Sequence, residues 1–341
     1  MKTLAINGFG RIGRVTARIL VERHRIDRLQ AVNDLGEAKA LAYLLKYDTV
    51  YRQLMADVRE VPPPGPHFTG GIRIGHHVIG VLAEKDPTAL PWKELGIDVV
   101  IESTGRFTDY ESAAQHLKAG ARQVIISAPS RGDHPAPTSV IGINAGDNDE
   151  PVINNASCTT NCISPMMAVL DERFGVEKSL MTTVHAYTQS QQLQDGPNAK
   201  DLREGRAAAQ NIVPAATGAA IATTEAIPKL KNRFDGVAVR VPVAVGSLAD
   251  ITLVTRDQVT VEEVNQAFTE ASRQPRYKGI IEVSEEPLVS SDIIGRSASV
   301  IVDLALTRVV GGNLVKVFGW YDNEWGYANR LVDQTFRFLD Q

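Results

Sequence analysis

The stretch that decides the fold is TLAINGFGRIGR, residues Thr3 to Arg14. Thr3-Leu4-Ala5-Ile6 reads as a short buried strand, and a helical period carries on through Ile19, Leu20 and Val21. Between them Gly8, Gly10 and Gly13 stand at the spacing G-x-G-x-x-G. The first allows a tight turn, the second lets a pyrophosphate approach the backbone, and the third lets helix and strand pack closely. The helix start then offers free N–H groups to phosphates. A second apolar strand, Leu29 to Val32, runs into Asn33-Asp34, near the spacing at which an acidic side chain holds a ribose hydroxyl pair. A glycine turn of purely structural use would show the same three glycines. The strand before it, the helix after it and Asp34 weigh for a dinucleotide. Asp34 also repels a 2′-phosphate, which favours NAD over NADP. Capping a helix is a second role open to it, compatible with the first.

Outward from this stretch the signals of a parallel sheet continue. Glu37 to Lys46 reads as a helix, and Tyr51 to Leu82 is less regular. Pro62-Pro63-Pro64-Gly65-Pro66 is a solvent-exposed turn, since successive prolines lack N–H donors. Short strands near Ile72 and Val78 predict a hairpin standing off the sheet. His76 and His77 are expected to be solvated loop residues. Buried strands return at Asp98 to Gly105, ending in a small-residue turn, and at Gln123 to Pro129, with a helix from Asp109 to Lys118 between them. Ligands collect at the carboxyl ends of such strands, so Thr104, Gly105 and Ser127 are candidate cofactor contacts.

After Asn155 the pattern changes. Strand-like runs appear at Leu180 to Tyr187, Val237 to Val245, Ala249 to Thr255, Ser299 to Thr307 and Leu314 to Trp320. A helix is predicted at Val261 to Arg273. Strands with segregated helices predict a mixed or antiparallel α+β domain. The fold expected is therefore an N-terminal Rossmann doubly wound domain over 1–157 and a catalytic domain over 158–323. A helix within 324–341 is expected to pack back on the first domain. The long polar stretch Thr188 to Asn211 reads as a functional loop.

Composition narrows the partners. The chain has 341 residues, 43% hydrophobic and 22% charged, with net charge -4. No excess positive charge points to nucleic acid as the main partner. No apolar run approaches a membrane span, and the N-terminal strand leaves no room for a signal peptide. Two cysteines, Cys158 and Cys162, cannot form a disulfide framework and suit a reducing compartment. The cytosol is the expected location.

Those cysteines lie in Asn155-Ala156-Ser157-Cys158-Thr159-Thr160-Asn161-Cys162, which opens a segment of helical period ending near Phe174. Cys158 is thus expected at a helix N-terminus, where free N–H groups favour a thiolate. A nucleophilic cysteine needs a base. His185, in the apolar strand Leu180 to His185, is the candidate; His24, His67, His76, His77, His116 and His134 fall in the first domain. A Cys–His pair also suits thiol proteases and acyltransferases, but these have no use for a hydride acceptor. Zinc on Cys158, Cys162 and His185 lacks a fourth ligand and the usual paired spacing, so no metal is expected. Cys162 reads as a packed residue.

The chain resembles phosphorylating glyceraldehyde-3-phosphate dehydrogenases along nearly its whole length. The shared words are INGFGRIGR, KYDT at Lys46 to Thr49, ASCTTNC around Cys158 and TTVHAYT at Thr182 to Thr188. NIVPAATGAA at Asn211 to Ala220, VRVPV at Val239 to Val243, and WYDNEWGYANR at Trp320 to Arg330 complete them. The resemblance implies that Cys158 attacks an aldehyde with His185 as base, leaving a thioester that inorganic phosphate cleaves. Thr188 and Arg240 match the site for the substrate's own phosphate. Ser157, Thr159, Thr217 and Gly218 match the site for the attacking phosphate, although Thr217-Gly218 also reads as a helix cap. Arg240 stands in an otherwise apolar strand, where a guanidinium needs an anion. Arg11 and Ile12 would give pyrophosphate-binding backbone, Asn323 a nicotinamide contact, and Lys85 stands where the family often has an adenine-side arginine. The resemblance further implies a homotetramer, with the loop at Thr188 to Asn211 at a subunit interface. Three departures stand out: Arg203-Glu204-Gly205-Arg206 lacks the second adjacent arginine that some members use for phosphate, Val243-Ala244-Val245-Gly246 replaces a more polar segment, and the Pro62 to Pro66 insertion is unusual. Rival readings are an erythrose-4-phosphate dehydrogenase and a non-catalytic NAD-binding scaffold.

Overall fold

A computed structural model describes residues 1–146, 150–199 and 201–340. Lys200, inside the long polar stretch, and Gln341 lie outside the described residues. The chain divides into two compact units, Met1–Ser139 with Ala145–Ala156 and Ala328–Gln341, and Val140–Asn144 with Ser157–Tyr327.

The first unit begins with β1 (Leu4–Asn7), α1 (Arg11–Glu22), β2 (Leu29–Asn33) and α2 (Ala38–Lys46). Next come β3 (Val58–Val61), β4 (Gly70–Ile74) and β5 (His77–Leu82), then β6 (Val99–Glu102), the short helices α3 (Tyr110–Ala113) and α4 (Gln115–Lys118), β7 (Gln123–Ile126) and β8 (Val152–Asn154). They form one eight-stranded sheet in the order β3-β4-β5-β2-β1-β6-β7-β8. Pairing is parallel from β5 to β8. Every residue of β1, β6 and β7 is buried, as strands covered on both faces require. The chain crosses from β1 to β2 on one side and later to β6 on the other, so the sheet's switch point lies at the ends of β1, β2 and β6.

The hairpin at Ile72 and Val78 is not an excursion. β5 pairs in parallel with β2, Ala31 opposite Gly80, and so extends the sheet. The apolar Ile72, Ile79 and Val81 are fully buried, and Gly80 has no Cβ, which leaves room for the Phe68 ring. His77 likewise departs from its expected place. It starts β5 and its Nε2 lies 2.7 Å from the Leu29 carbonyl. His76 is exposed.

The second unit contains α5 (Cys158–Phe174), β9 (Val176–Ala186), β10 (Val213–Ala216), α6 (Ala219–Ala226), β11 (Phe234–Val241) and β12 (Ser247–Thr255). After them come α7 (Val261–Ser272), β13 (Ile281–Ser284), β14 (Val300–Asp303), β15 (Arg308–Val310) and β16 (Leu314–Tyr321). The sheet runs β10-β11-β9-β12-β16-β14-β13, with β15 paired to β16. It is mixed: β9 with β11 and β13 with β14 are parallel, the other pairs antiparallel. Along β12 buried and half-buried residues alternate strictly, so one face is covered and the other is not. The covered face packs with Cys162, Met166 and Met167 of α5 and Phe268 of α7 in one core. The run Ser299 to Thr307 breaks after Asp303, where a tight turn at Leu304–Leu306 intervenes before β15.

The last helix, α8 (Trp325–Leu339), has the bounds its periodicity predicts. From Ala328 on it belongs to the first unit. Arg23, which follows α1, donates to Asn329 and Asp333, and Lys2 donates to the Phe338 carbonyl at 3.0 Å. The division differs from 1–157 and 158–323 in three places, the first being that the second unit runs on to Tyr327. Ser157 goes with the second unit because it caps α5, and Val140–Asn144 goes there because Ile141 and Ile143 pack on that unit's core.

Candidate active site

Four elements of the second unit, α5, β9, β11 and β16, bring side chains together around one sulfur. Ser157 caps α5, its Oγ accepting from Thr160 N at 3.0 Å, so Cys158 is the first residue of the helix. The partly buried Cys158 Sγ lies 3.4 Å from His185 Nε2 near the end of β9. His185 Nδ1 lies 2.7 Å from the Ala186 carbonyl, which can only accept. Nδ1 therefore carries a proton, and the neutral ring turns the Nε2 lone pair toward the thiol. The Tyr321 ring at the end of β16 meets the imidazole edge to face, centroids 5.9 Å apart.

Burial disfavours the charged form of both groups. Burial pushes the Cys158 thiol up, opposed by the Arg240 charge and by hydrogen bonds from Thr159. Burial and, after it, the Arg240 charge together push His185 down to about 3, against the hydrogen bond to the Ala186 carbonyl. Loss of solvation thus opposes the thiolate that the helix terminus favours. Cys162 is fully buried, its Sγ 3.9 Å from the Gly319 carbonyl, and burial raises its thiol well above the ordinary range. Among the described residues no group of three or more His, Cys, Asp or Glu side chains could hold a metal.

Arg240 lies directly beside His185 in the β9–β11 register. Its Nε is buried without a hydrogen-bond partner. A guanidinium left this way is a donor set awaiting an anion. Thr188 follows β9, with its Oγ1 3.0 Å from Ser190 Oγ and its N–H on Gln191 Oε1. Thr217 and Gly218 stand at the start of α6, where Thr217 Oγ1 accepts from Ala219 N. Thr159 is less free than its sequence neighbourhood implies. Its Oγ1 lies 2.9 Å from Tyr321 Oη, which lies 2.7 Å from Thr183 Oγ1, a closed chain of three buried hydroxyls. Ser157 Oγ likewise lies 2.8 Å from Thr160 Oγ1. Glu204 is half-buried and Arg203 exposed.

Asn323, just past β16, is buried, and its Oδ1 accepts from Gly246 N at 3.1 Å and Ser247 Oγ at 2.9 Å. Ser247 Oγ also accepts from Ala186 N at 3.1 Å. Ser247 thereby joins Asn323 to the residue after His185. Tyr321, Thr183 and Ser247 are the site residues that sequence reasoning missed. Each reads as an ordinary strand residue, and their hydroxyl partners are distant in the chain.

The first unit holds the residues assigned to the dinucleotide. Gly8 has φ +92°, and a Cβ there would stand 2.6 Å from Thr104 N. A Cβ on Gly13 would stand 2.4 Å from the Gly8 carbonyl oxygen, while one on Gly10 would meet nothing within 4 Å. The turn thus needs two glycines for its own packing and leaves the third open to a ligand. Asp34 ends the β2 turn, accepting from Phe9 N and Gly36 N, both at 2.9 Å. That sets a carboxylate against the glycine turn. Arg11 and Ile12 open α1, and the Arg11 side chain pairs with Asp48. Gly105 is exposed with φ +70°, Ser127 N donates to the Glu102 carbonyl, and Lys85 is exposed on the loop after β5. These positions fit a dinucleotide: bare backbone at the turn and an anchored carboxylate at the end of β2.

The family described as glyceraldehyde 3-phosphate dehydrogenase, NAD binding domain, matches residues 2–110, and its C-terminal domain matches 157–323. A glyceraldehyde-3-phosphate dehydrogenase of Streptomyces coelicolor is 50% identical over 335 residues, 97% of either chain. Glyceraldehyde-3-phosphate dehydrogenase 1 of Bacillus cereus is 48% identical over 336 residues, 98% of this chain and 97% of that one. A chloroplastic glyceraldehyde-3-phosphate dehydrogenase of Arabidopsis thaliana is 47% identical over 334 residues, 97% of this chain and 82% of that one. With both halves matched in order, and with an NAD-binding unit followed by a Cys–His unit, this chain belongs to the glyceraldehyde-3-phosphate dehydrogenase family.

Proposed function

We propose that the protein oxidises D-glyceraldehyde 3-phosphate to 1,3-bisphosphoglycerate with NAD and inorganic phosphate, in glycolysis and gluconeogenesis. The observation that carries this is Cys158 Sγ 3.4 Å from the unprotonated Nε2 of His185, beside the unsatisfied Nε of Arg240. Arg240, with Thr188, holds the substrate's phosphate and so sets its aldehyde carbon on the sulfur. As the S–C bond forms, His185 Nε2 takes the thiol proton, and the first helix N–H and the new imidazolium face the oxyanion. His185 returns that proton to the oxyanion, giving the hemithioacetal hydroxyl, and its freed Nε2 then receives the hydroxyl proton as the hemithioacetal is oxidised. Bound NAD supplies the two-electron acceptor for that oxidation, which leaves a thioester on Cys158. Ser157, Thr159, Thr217 and Gly218 hold inorganic phosphate for attack on the thioester carbon, and the Cys158–acyl bond breaks to release an acyl phosphate. Asn323, with Oδ1 committed to Gly246 and Ser247, has its amide N–H groups to orient the nicotinamide carboxamide. Arg11, Ile12, Asp34, Lys85, Thr104, Gly105 and Ser127 serve the rest of the dinucleotide.

Homotetramer assembly belongs to this reading. The face of the second sheet turned away from α5 carries Val184, Val237, Leu248 and Phe318, none of them fully buried. Thr182 and the Lys316–Asp250 ion pair share that face, and apolar groups mixed with polar ones in this way suit a surface for another copy. A cytoplasmic location also belongs to it, supported by two free cysteines; no helix among the described residues is long and apolar enough to cross a membrane. Steady-state rates with glyceraldehyde 3-phosphate and erythrose 4-phosphate, each with and without inorganic phosphate, test the proposal. The triose phosphate with phosphate present should be the preferred pair. Preference for the erythrose, or indifference to phosphate, would reject it.

A further inference from the structure

Beneath the switch point of the first sheet lies a buried polar network that no step above uses. It centres on Glu102, 2% exposed at the end of β6. Its Oε1 accepts from Thr104 N at 2.8 Å and Thr104 Oγ1 at 2.5 Å. Its Oε2 accepts from Asn7 Nδ2 at 2.5 Å and faces His116 Nε2 at 3.1 Å. The proton on that ring can be placed. Trp92 Nε1, which can only donate, points at His116 Nδ1 from 2.9 Å, so Nδ1 accepts and Nε2 donates to Glu102. All four acceptor positions of the carboxylate are then filled by donors.

The network continues outward from Asn7. Asn33 at the end of β2 donates to Asn7 Oδ1 at 2.6 Å, and also clasps Glu84 after β5, donating to its carbonyl and accepting from its N–H, both at 2.8 Å. Ser103 Oγ donates to the Gly8 carbonyl at 2.7 Å. Four strand ends, β1, β2, β5 and β6, are thus joined by side chains through one buried carboxylate. Every loop leaving them carries residues assigned to the dinucleotide: the glycine turn, Asp34, Lys85, and Thr104 with Gly105. An isolated carboxylate with its donors removed would be costly at this depth. Its retention here in full satisfaction makes a rigid clamp of fixed spacing.

We propose that Glu102, oriented by His116 and Trp92, is a positioning residue that sets the separation of the dinucleotide-binding loops. It acts on cofactor affinity and touches neither cofactor nor substrate. The inference rests on the dinucleotide lying on these loops.

The Glu102→Gln variant tests it, because a glutamine amide must turn a donor toward Thr104 or toward Asn7 and His116. Titration calorimetry would measure NAD and ADP-ribose binding, beside kcat at saturating NAD and the alkylation rate of Cys158 without NAD. The variant should bind both ligands about tenfold more weakly, as a loop set that is correctly spaced only part of the time requires. Its kcat at saturating NAD and its alkylation rate should stay within about twofold of the parent, an affinity loss without a chemical one. A folded variant that melts earlier but keeps the parent's Kd overturns the proposal, since that is a purely structural effect. If Glu102→Gln gives no folded protein, Trp92→Phe carries the test, because it removes the indole donor to His116 while leaving an aromatic ring in the core. A rise of about threefold in the NAD Kd is expected of it, and an unchanged Kd overturns the proposal. A parent protein that binds neither ligand overturns the dinucleotide reading itself, a result separate from either variant's.

Discussion

His185, the proposed base, is held in one tautomer by a single carbonyl, that of its neighbour Ala186, and its replacement separates two effects. His185→Asn should lower kcat by about 10²- to 10⁴-fold, the usual range for a lost general base, measured at saturating aldehyde. The same variant bears on acid stability. The imidazole sits near 3 in the fold against an ordinary value of 6.5. Between those values the unfolded chain binds a proton that the folded chain refuses, so stability rises with pH across that window and is lost on acidification. From pH 7 to pH 4 the loss is about 3 kcal/mol, and thermal melts of His185→Asn should show a correspondingly shallower fall. Arg240→Leu should cut kcat/KM for the phosphorylated aldehyde by about 1.5–3 kcal/mol, the range for a hydrogen bond to a charged group, while unphosphorylated glyceraldehyde is little affected. Cys158 and His185 were legible in the sequence because a cysteine opening a helix and a histidine in an apolar strand both break their surroundings. Tyr321 was not, since a tyrosine in a buried strand looks like core. Its hydroxyl partners Thr159 and Thr183 lie 162 and 138 residues away in the chain, a separation that no local pattern encodes. The charge state of Cys158 was also beyond reach. Helix position is visible in sequence, whereas the burial that opposes it is made by other strands.

Elements that repeat a period were readable and those that break one were not. α8 carries an apolar stripe over four turns, and its ends follow from that stripe. β10, β13 and β15 have three or four residues each, too few to show alternation. The hairpin of β4 and β5 was visible as a hairpin, but its membership of the sheet depends on β5 meeting β2, 48 residues apart at His77 and Leu29. The glycine turn illustrates the opposite case, where local letters encode a distant contact. Gly8→Ala must force a left-handed alanine and a Cβ 2.6 Å from the Thr104 backbone. It should cost roughly 1–3 kcal/mol in stability and weaken NAD binding, seen together in melts and titration. The same substitution at Gly10, which has open space, should leave the melting temperature nearly unchanged; NAD binding alone would suffer.

At the scale of the whole molecule, the uncovered face of the second sheet should decide assembly. Leu180 and Val237 are 67% and 52% exposed on neighbouring strands of it. Analytical ultracentrifugation of the parent should give four copies, and Leu180→Glu with Val237→Glu should give smaller species without loss of helix content. A parent sedimenting as a monomer would refute the assembly. Two domains, their order and their chemistry were legible because each half carries its own motif. The return of residues 328–340 to the first unit was legible only as an amphipathic helix in need of a partner. That return has a consequence for synthesis. At a ribosomal rate of roughly 5–20 residues per second, the segment from 157 to 327 takes about ten to thirty seconds to make. For all of that interval the nascent first unit lacks Ala328, Leu331 and Val332, which are buried in the finished protein. The earliest part of the chain to emerge is therefore among the last to be sealed, and its raw apolar flank is what a chaperone at the tunnel exit would meet.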